Sequence, residues 1–311
     1  MITHAGALGA IASRDPASND RRAVSIAGWL FDAREFEPTP EPTPADLDAI
    51  VTGLTSAAAM CSALGLVYLP VLVPAKRNAV KAAPTSDRGW VGELNARIRD
   101  VDEVDLFNLL TVLRHAARHG PCYHRTDAEW NGLGAFFVAR ALLKEAHKSI
   151  PALRPAPPED LHMRPVHSYR GTLIGAPRLE WLNGELVGSE HDLEPEEGAE
   201  IDASRLHARR MPVEPALGEA GPVPVRVYAN AARDRDARLA VVGGPAALPV
   251  AVWLAERTSR TALFSSPALP PAELEIERPP LVIHLIGETD LLMSRGSGAE
   301  GWAFASARQD A

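Results

Sequence analysis

The chain is short of several things, and each shortage excludes something. Two of its 311 residues are cysteine, Cys61 and Cys122. That rules out a disulfide-stapled scaffold and a four-cysteine zinc site, and leaves two buried thiols as the simplest reading. Aromatic residues make up 5% of the chain, so aliphatic side chains must fill the core. Basic residues are outnumbered, 32 Lys and Arg against 40 Asp and Glu, and the net charge of −8 argues against nucleic acid as a partner. No run approaches the ~18 consecutive apolar residues of a membrane span. Met1–Asp20 lacks a basic segment followed by an apolar one, so the sequence as written carries no export signal and is expected to stay in the cytoplasm unless an upstream segment is missing. Neither G-x-x-x-x-G-K-[ST] nor a strand followed by G-x-G-x-x-G is present, so no nucleotide is expected, and no other cofactor.

Proline is in excess, 27 of 311 residues, nearly twice the usual ~5%. It predicts long, stiff connections. The hydrophobic share of 46% and the charged share of 23% are ordinary globular usage. A chain of this size buries roughly 75% of its unfolded surface and needs no staples.

Residues 1–22 are small and polar and read as a flexible N-terminus; residues 296–311 read as a tail. Between them, strands and helices alternate. Ala23–Phe31 reads as a strand with a turn, and Glu37–Thr43 as an extended connector. A helix follows, with Thr43 as N-cap, Pro44 at its first position and Gly65 as its stop. Leu47, Ile50, Val51, Leu54, Cys61 and Leu64 form its buried stripe. Leu66–Val73 is apolar without alternation, which suits a strand covered on both faces, although Pro70 cannot donate to a ladder. Trp90, Val91, Leu94 and Ile98 mark a second helix, Val104–Phe107 a short strand, and Leu109–His119 a third helix. A fourth carries Phe136, Phe137, Ala139, Leu142 and Leu143 on its buried side. Residues 151–225 read as an irregular, partly β insertion, with Glu194–Glu200 as a solvated acidic run. The alternation resumes with strands at Leu239–Val242, Thr261–Ser265 and Leu281–Ile286, and helices at Leu248–Thr258 and Pro271–Arg278. The class is α/β, a mainly parallel sheet flanked by helices, within a single domain at 23–295.

In such sheets ligands bind beyond the carboxyl ends of the strands. Two loops qualify: Val242-Gly243-Gly244-Pro245, and Tyr123–Asn131 before the fourth helix. Asp127 and Glu129 in the second loop are either a carboxylate pair for a metal or, the preferred reading, a structural hydrogen bond and a favourable charge at the helix start, with no metal. His124 beside Arg125 suits anion binding, but exposed loop residues pair in this way by chance, and the exposed-loop reading is preferred. Tyr123, Trp130 and Trp90 suit either a sugar-stacking cleft or the core. His284, inside an apolar strand, reads as a satisfied core histidine.

Four stretches, in order, give the chain a resemblance to the SGNH-hydrolase-like domain of the alginate O-acetyltransferase family (AlgJ/AlgX type). They are Gly28-Trp29-Leu30-Phe31, Val73-Pro74-Ala75-Lys76, Tyr123–Asn131 with Gly134-Ala135, and the strand ending in Val242-Gly243. The resemblance implies that fold, a polysaccharide and other acetylation or export components as partners, and the cell envelope as location. It implies a site containing Asp127, with Tyr123, Arg125, Trp130, Asn131, Gly243 and Gly244 as substrate-binding candidates. It also exposes two departures. The family's T-D-x-H-W reads Thr126-Asp127-Ala128-Glu129-Trp130, with Glu129 where histidine belongs, and its G-D-S falls on Gly243-Gly244-Pro245, where proline has no hydroxyl. A serine nucleophile needs a positioned base, so the expected function is that of an inactive homologue serving as a binding or scaffold component. The alternatives are an active acetyltransferase or esterase with a displaced nucleophile, and a cytoplasmic interaction protein on the same fold.

Overall fold

The chain enters its fold through a hairpin. β1 (Ala23–Ile26) and β2 (Trp29–Asp32) pair antiparallel across a two-residue loop. Ala27 and Gly28 in that loop have φ of 50° and 79°. This is the primed turn that matches the twist of a hairpin, and Gly28 adopts it without a Cβ penalty. The computed structural model describes residues 22–36, 41–83, 85, 88–101, 104–174, 178–182, 185–189, 196–211 and 225–293. The N-terminus before Arg22 and the tail from Gly296 lie outside the described residues.

α1 (Pro44–Ala63) starts with a reciprocal capping box. Asp46 N donates to Thr43 Oγ1 at 3.2 Å, and Thr43 N to Asp46 Oδ2 at 2.8 Å. Its stripe from Leu47 to Cys61 is buried, and Leu64 is half-buried. β3 (Val67–Val73), the short α2 (Lys76–Ala79), α3 (Gly89–Val101), β4 (Phe107–Asn108), α4 (Leu110–Ala116) and α5 (Gly132–Ala146) follow. The third helix therefore stops three residues before His119, and the short strand starts at Phe107 rather than Val104.

The 151–225 segment is more regular than its sequence reads. It holds β5 (Met163–Tyr169), β6 (Arg178–Leu182), β7 (Glu185–Ser189), β8 (Glu196–Ile201) and β9 (Arg209–Met211). The acidic run is, from Glu196 on, the strand β8 paired with β5; Glu194 lies outside the described residues. β6 adds parallel to β1, making a four-stranded sheet β2-β1-β6-β7. The chain continues through β10 (Val225–Ala229), β11 (Arg238–Gly243), α6 (Ala247–Ala255), β12 (Arg260–Phe264), α7 (Pro271–Glu277), β13 (Leu281–Gly287) and α8 (Glu288–Met293).

The main sheet has seven strands in the order β4-β3-β13-β11-β12-β10-β9. β4 to β12 run parallel, while β10 and β9 close the far edge antiparallel. Alternate residues face opposite layers. Leu239, Val241, Ile283 and Leu285 pack with α4, α5 and α6; Ala240, Val242 and Val282 pack with α1 and α7. This two-sided cover explains the unbroken apolar strands. Pro70 fits because of its flank. The Leu72 carbonyl accepts from Leu109 N at 3.1 Å on the β4 side, and Pro70, two residues earlier, faces the same way, where β4 has not yet begun.

Candidate functional site

A cavity of about 160 Å³ opens at the carboxyl ends of β3, β11 and β13. Val73-Pro74-Ala75-Lys76, Gly244-Pro245-Ala246 and Gly287–Asp290 supply those ends, and Asp32, Arg34, Glu35, Ala128 and Glu129 complete the wall. The cavity lies where the strand-end rule expects a ligand, and the fold brings Glu129 and Pro245, far apart in sequence, to its wall. At Gly244 an added Cβ would meet nothing within 4 Å, so this position opens into free space. At Gly243 it would press on Leu285 at 3.0 Å, so that glycine serves packing between β11 and β13.

Asp127 does not line the cavity. Its Oδ2 accepts from Tyr169 Oη and its Oδ1 from Thr172 Oγ1, both at 2.6 Å. Gly171 N donates to Thr126 Oγ1 at 3.0 Å, and Leu173 N to the Thr126 carbonyl at 3.1 Å. The segment after β5 therefore locks this turn. The structural hydrogen bond expected for Asp127 exists: Glu129 N donates to its Oδ1 at 3.5 Å, and the shorter bonds run to Tyr169 and Thr172. The helix start is capped instead by Asn131, whose Oδ1 accepts from Gly134 N at 3.0 Å. Asn131 Nδ2 donates to the Pro121 carbonyl at 2.7 Å, so both ends of this amide are structural.

The aromatic candidates belong to the core. Tyr123, Trp130 and Trp90 are buried and none of them lines the cavity; Trp130 Nε1 donates to the Ala246 carbonyl at 3.0 Å. His124 is buried as well, stacked on Tyr169 with ring centroids 3.7 Å apart, which corrects its reading as an exposed residue. Arg125 is exposed and outside the cavity wall.

Sequence reasoning missed the acidic wall. Asp32 is paired with Arg34 at 2.8 Å. Glu35 Oε2 accepts from Arg77 N at 2.7 Å, and burial pushes its carboxyl up to about 7 against the pull of that N–H and of Lys76. Glu288 is buried and fully engaged: Ala75 N donates to it at 3.0 Å, Asn78 Nδ2 at 3.2 Å and Arg88 Nε at 2.8 Å. Burial also raises the Asp290 carboxyl, with Arg34 opposing. A signal for part of this wall was available. Leu281–Ile286 is a buried strand, and the residues just beyond its carboxyl end are Glu288 to Asp290.

In the sequence Lys76 stands out only as the end of Val73-Pro74-Ala75-Lys76. It is buried, and Nζ donates to the carbonyls of Leu30 at 2.7 Å, His124 at 2.9 Å, Arg125 at 3.3 Å and Asp127 at 2.6 Å. The rings of Trp29, Phe31 and Tyr123 lie within 5.8 Å of the ammonium. His284 is a satisfied core residue. Its Nε2 donates to the Pro267 carbonyl at 2.9 Å, which leaves Nδ1 to accept from Tyr68 Oη at 3.0 Å. Burial holds it down to about 4. Among the described residues no group of three or more His, Cys, Asp or Glu is arranged to hold a metal.

The chemistry follows from the lining. Among the described residues of the wall, Thr289 carries the sole hydroxyl, and no imidazole or thiol is present. No helix among the described residues is long and apolar enough to cross a membrane.

The architecture has solved relatives. The O-acetyltransferase domain of Pseudomonas putida AlgJ is 17% identical, with a TM-score of 0.56, and the match covers 86% of this chain and 91% of that one. Bacillus cereus PatB1 is 14% identical at a TM-score of 0.59, over 86% of this chain and 96% of its own. A DHHW family protein from Eubacterium siraeum is 12% identical at 0.60, over 93% and 97%. At these identities the likeness is one of fold. No curated protein matches the chain in sequence. The model of the SGNH hydrolase-like domain of acetyltransferase AlgX matches residues 24–206. That span includes Asp127 and Glu129 and stops short of Pro245, whose place rests on the cavity wall it shares with Glu129. With more than half of its length matched, the chain belongs to the AlgX family of SGNH hydrolase-like, polysaccharide O-acetyltransferase-type domains.

Proposed function

We propose that this chain is a catalytically inactive member of its family that serves as a binding or scaffold component of exopolysaccharide modification in the cell envelope. The observation that carries the reading is the cavity wall. Pro245 at the strand-end turn offers no nucleophile, and Glu129 stands where a general base would have to be an imidazole. Asp127, the one triad position kept, spends both carboxylate oxygens on Tyr169 and Thr172. Loss of the nucleophile alone costs a triad enzyme about 10⁶-fold in rate. Among the described residues of the wall Thr289 carries the single hydroxyl, and no imidazole stands there to take its proton. The partners the family brings are a polysaccharide and the other proteins of its acetylation and export.

Hydrolysis of p-nitrophenyl acetate tests the catalytic half. Wild type, Thr289→Val and Asp127→Ala are expected at the buffer rate. Turnover by wild type that either substitution removes would overturn the reading. Electrophoresis through gels containing acidic exopolysaccharide tests the other half, and migration unchanged from a polymer-free gel would sink polysaccharide binding.

A further inference from the structure

Among the described residues, the antiparallel edge of the main sheet carries arginines that form no ion pair. Arg226 and Tyr228 are two residues apart on β10 and so share a face. Arg210 on β9 stands directly opposite Tyr228 in the register. Side chains opposite and diagonal across an antiparallel pair are within reach of each other. The phenol reports that they are. Burial raises Tyr228 above its ordinary value, and the guanidiniums of Arg226 and Arg210 both pull it back.

Neither arginine forms an ion pair among the described residues, although nearby arginines do find partners. Arg209 donates to the Leu206 carbonyl, Arg233 to the Glu256 carbonyl at 2.6 Å, and Arg260 to Glu277. Arg226 Nη1 is buried and has no hydrogen-bond partner. A buried guanidinium N–H left unpaired is costly, and two guanidiniums brought together repel unless an anion lies between them. A planar fork beside a phenol hydroxyl is the donor set that recognises carboxylate and phosphate groups.

We infer that Arg210, Arg226 and Tyr228 form an oxyanion site on the outer edge of the sheet, made for a carboxylate or phosphate group of a ligand outside the chain. The site lies on β9 and β10, outside the cavity wall, and does not depend on whether the cavity is catalytically active. A negatively charged protein that concentrates, at one sheet edge, arginines with no ion pair among the described residues presents a local attraction to an acidic ligand despite its overall repulsion.

Titration calorimetry on the full chain at low salt tests it, with glucuronate and inorganic phosphate as probes and glucose as the uncharged control. Saturable binding of an anionic probe is expected, with none of glucose. Arg226→Gln and Arg210→Gln should each weaken it about tenfold or more. Arg210 is exposed, so its variant keeps the test valid if Arg226→Gln fails to fold. Tighter glucuronate than phosphate identifies a sugar carboxylate as the source, and the reverse order a free phosphate. No binding at millimolar probe, or binding that neither substitution changes, overturns the site. Binding that appears only after Glu214→Gln and Glu219→Gln would show that the β9–β10 connection fills the site from within, and would overturn an external ligand.

Discussion

Lys76 Nζ holds the backbone carbonyl of Asp127 at 2.6 Å, so the loop bearing the family's signature hangs on a cation just beyond the end of β3. The same ammonium holds Leu30 at the end of the entry hairpin. One side chain thus joins three pieces of chain remote in sequence, and the carbonyl dipoles and ring faces around it replace the water it gave up. Removing it leaves several buried carbonyls without a donor. Lys76→Met is expected to lower stability by at least about 3 kcal/mol, measured by urea unfolding. A loss below about 1 kcal/mol would mean that the carbonyls find other donors.

Gly171 makes a contact no other residue tolerates. A Cβ there would lie 2.1 Å from the Thr126 carbonyl oxygen, a backbone atom that cannot swing aside. Gly171→Ala should destabilise by about 2 kcal/mol or more. Gly244→Ala, which adds a methyl to open space, should change stability by no more than about 0.5 kcal/mol. Equal effects in thermal unfolding of the two variants would refute the locked turn.

Glu35 titrates near 7 in the folded chain, above its ordinary 4.5, because burial disfavours its charge. Folding therefore favours the protonated carboxyl. The stability this contributes is complete below about 4.5 and drains away as pH rises through about 7. The difference is on the order of 3 kcal/mol. Glu35→Gln, which keeps an acceptor for Arg77 N, should gain on wild type across that window as pH rises. Parallel stability curves for the two proteins between pH 4 and 8 would falsify the shift.

His284 tilts the other way. It stays neutral in the fold, held down to about 4 from 6.5 by burial. Its contribution is present above about 6.5 and is lost as pH falls through about 4. Between these limits the two slopes oppose each other and flatten the wild-type profile. Replacing His284 by Gln should expose the Glu35 slope, so that the variant becomes relatively more stable on acidification. A variant profile that still matches wild type would show that the imidazole is charged in the core.

The sequence made the scaffold legible where one rule acted alone. Thr43, Pro44 and Asp46 announced a helix start because capping is local chemistry, and the apolar run of β13 announced burial on both faces because nothing interrupts it. The carboxyl-end rule located the cavity loops and brought Glu129 and Pro245 together. The same rule contains Glu288, Thr289 and Asp290, which follow the apolar strand β13 at its carboxyl end. Asp127's partners were beyond reach. Tyr169 and Thr172 sit in a segment with neither regular alternation nor helical spacing, and no local pattern says which turn they bind. Lys76 shows the limit most plainly, since no local pattern says that a lone lysine between strand and helix is buried, and only the fold brings the carbonyls of Leu30 and of the 124–127 loop around it.

β13 sits between β3 and β11 in the middle of the main sheet, yet it is the last strand among the described residues. Until it leaves the ribosome, β3 has no inner neighbour and β11 lacks one side of its ladder. The entry hairpin waits too, for β1 pairs with β6 only through residues such as Val24 and Leu179. Such distant pairings make assembly slow and leave open strand edges on the nascent chain. Synthesis of this protein is therefore a period of exposure that ends late, when the central strand slides into a gap flanked by elements already made.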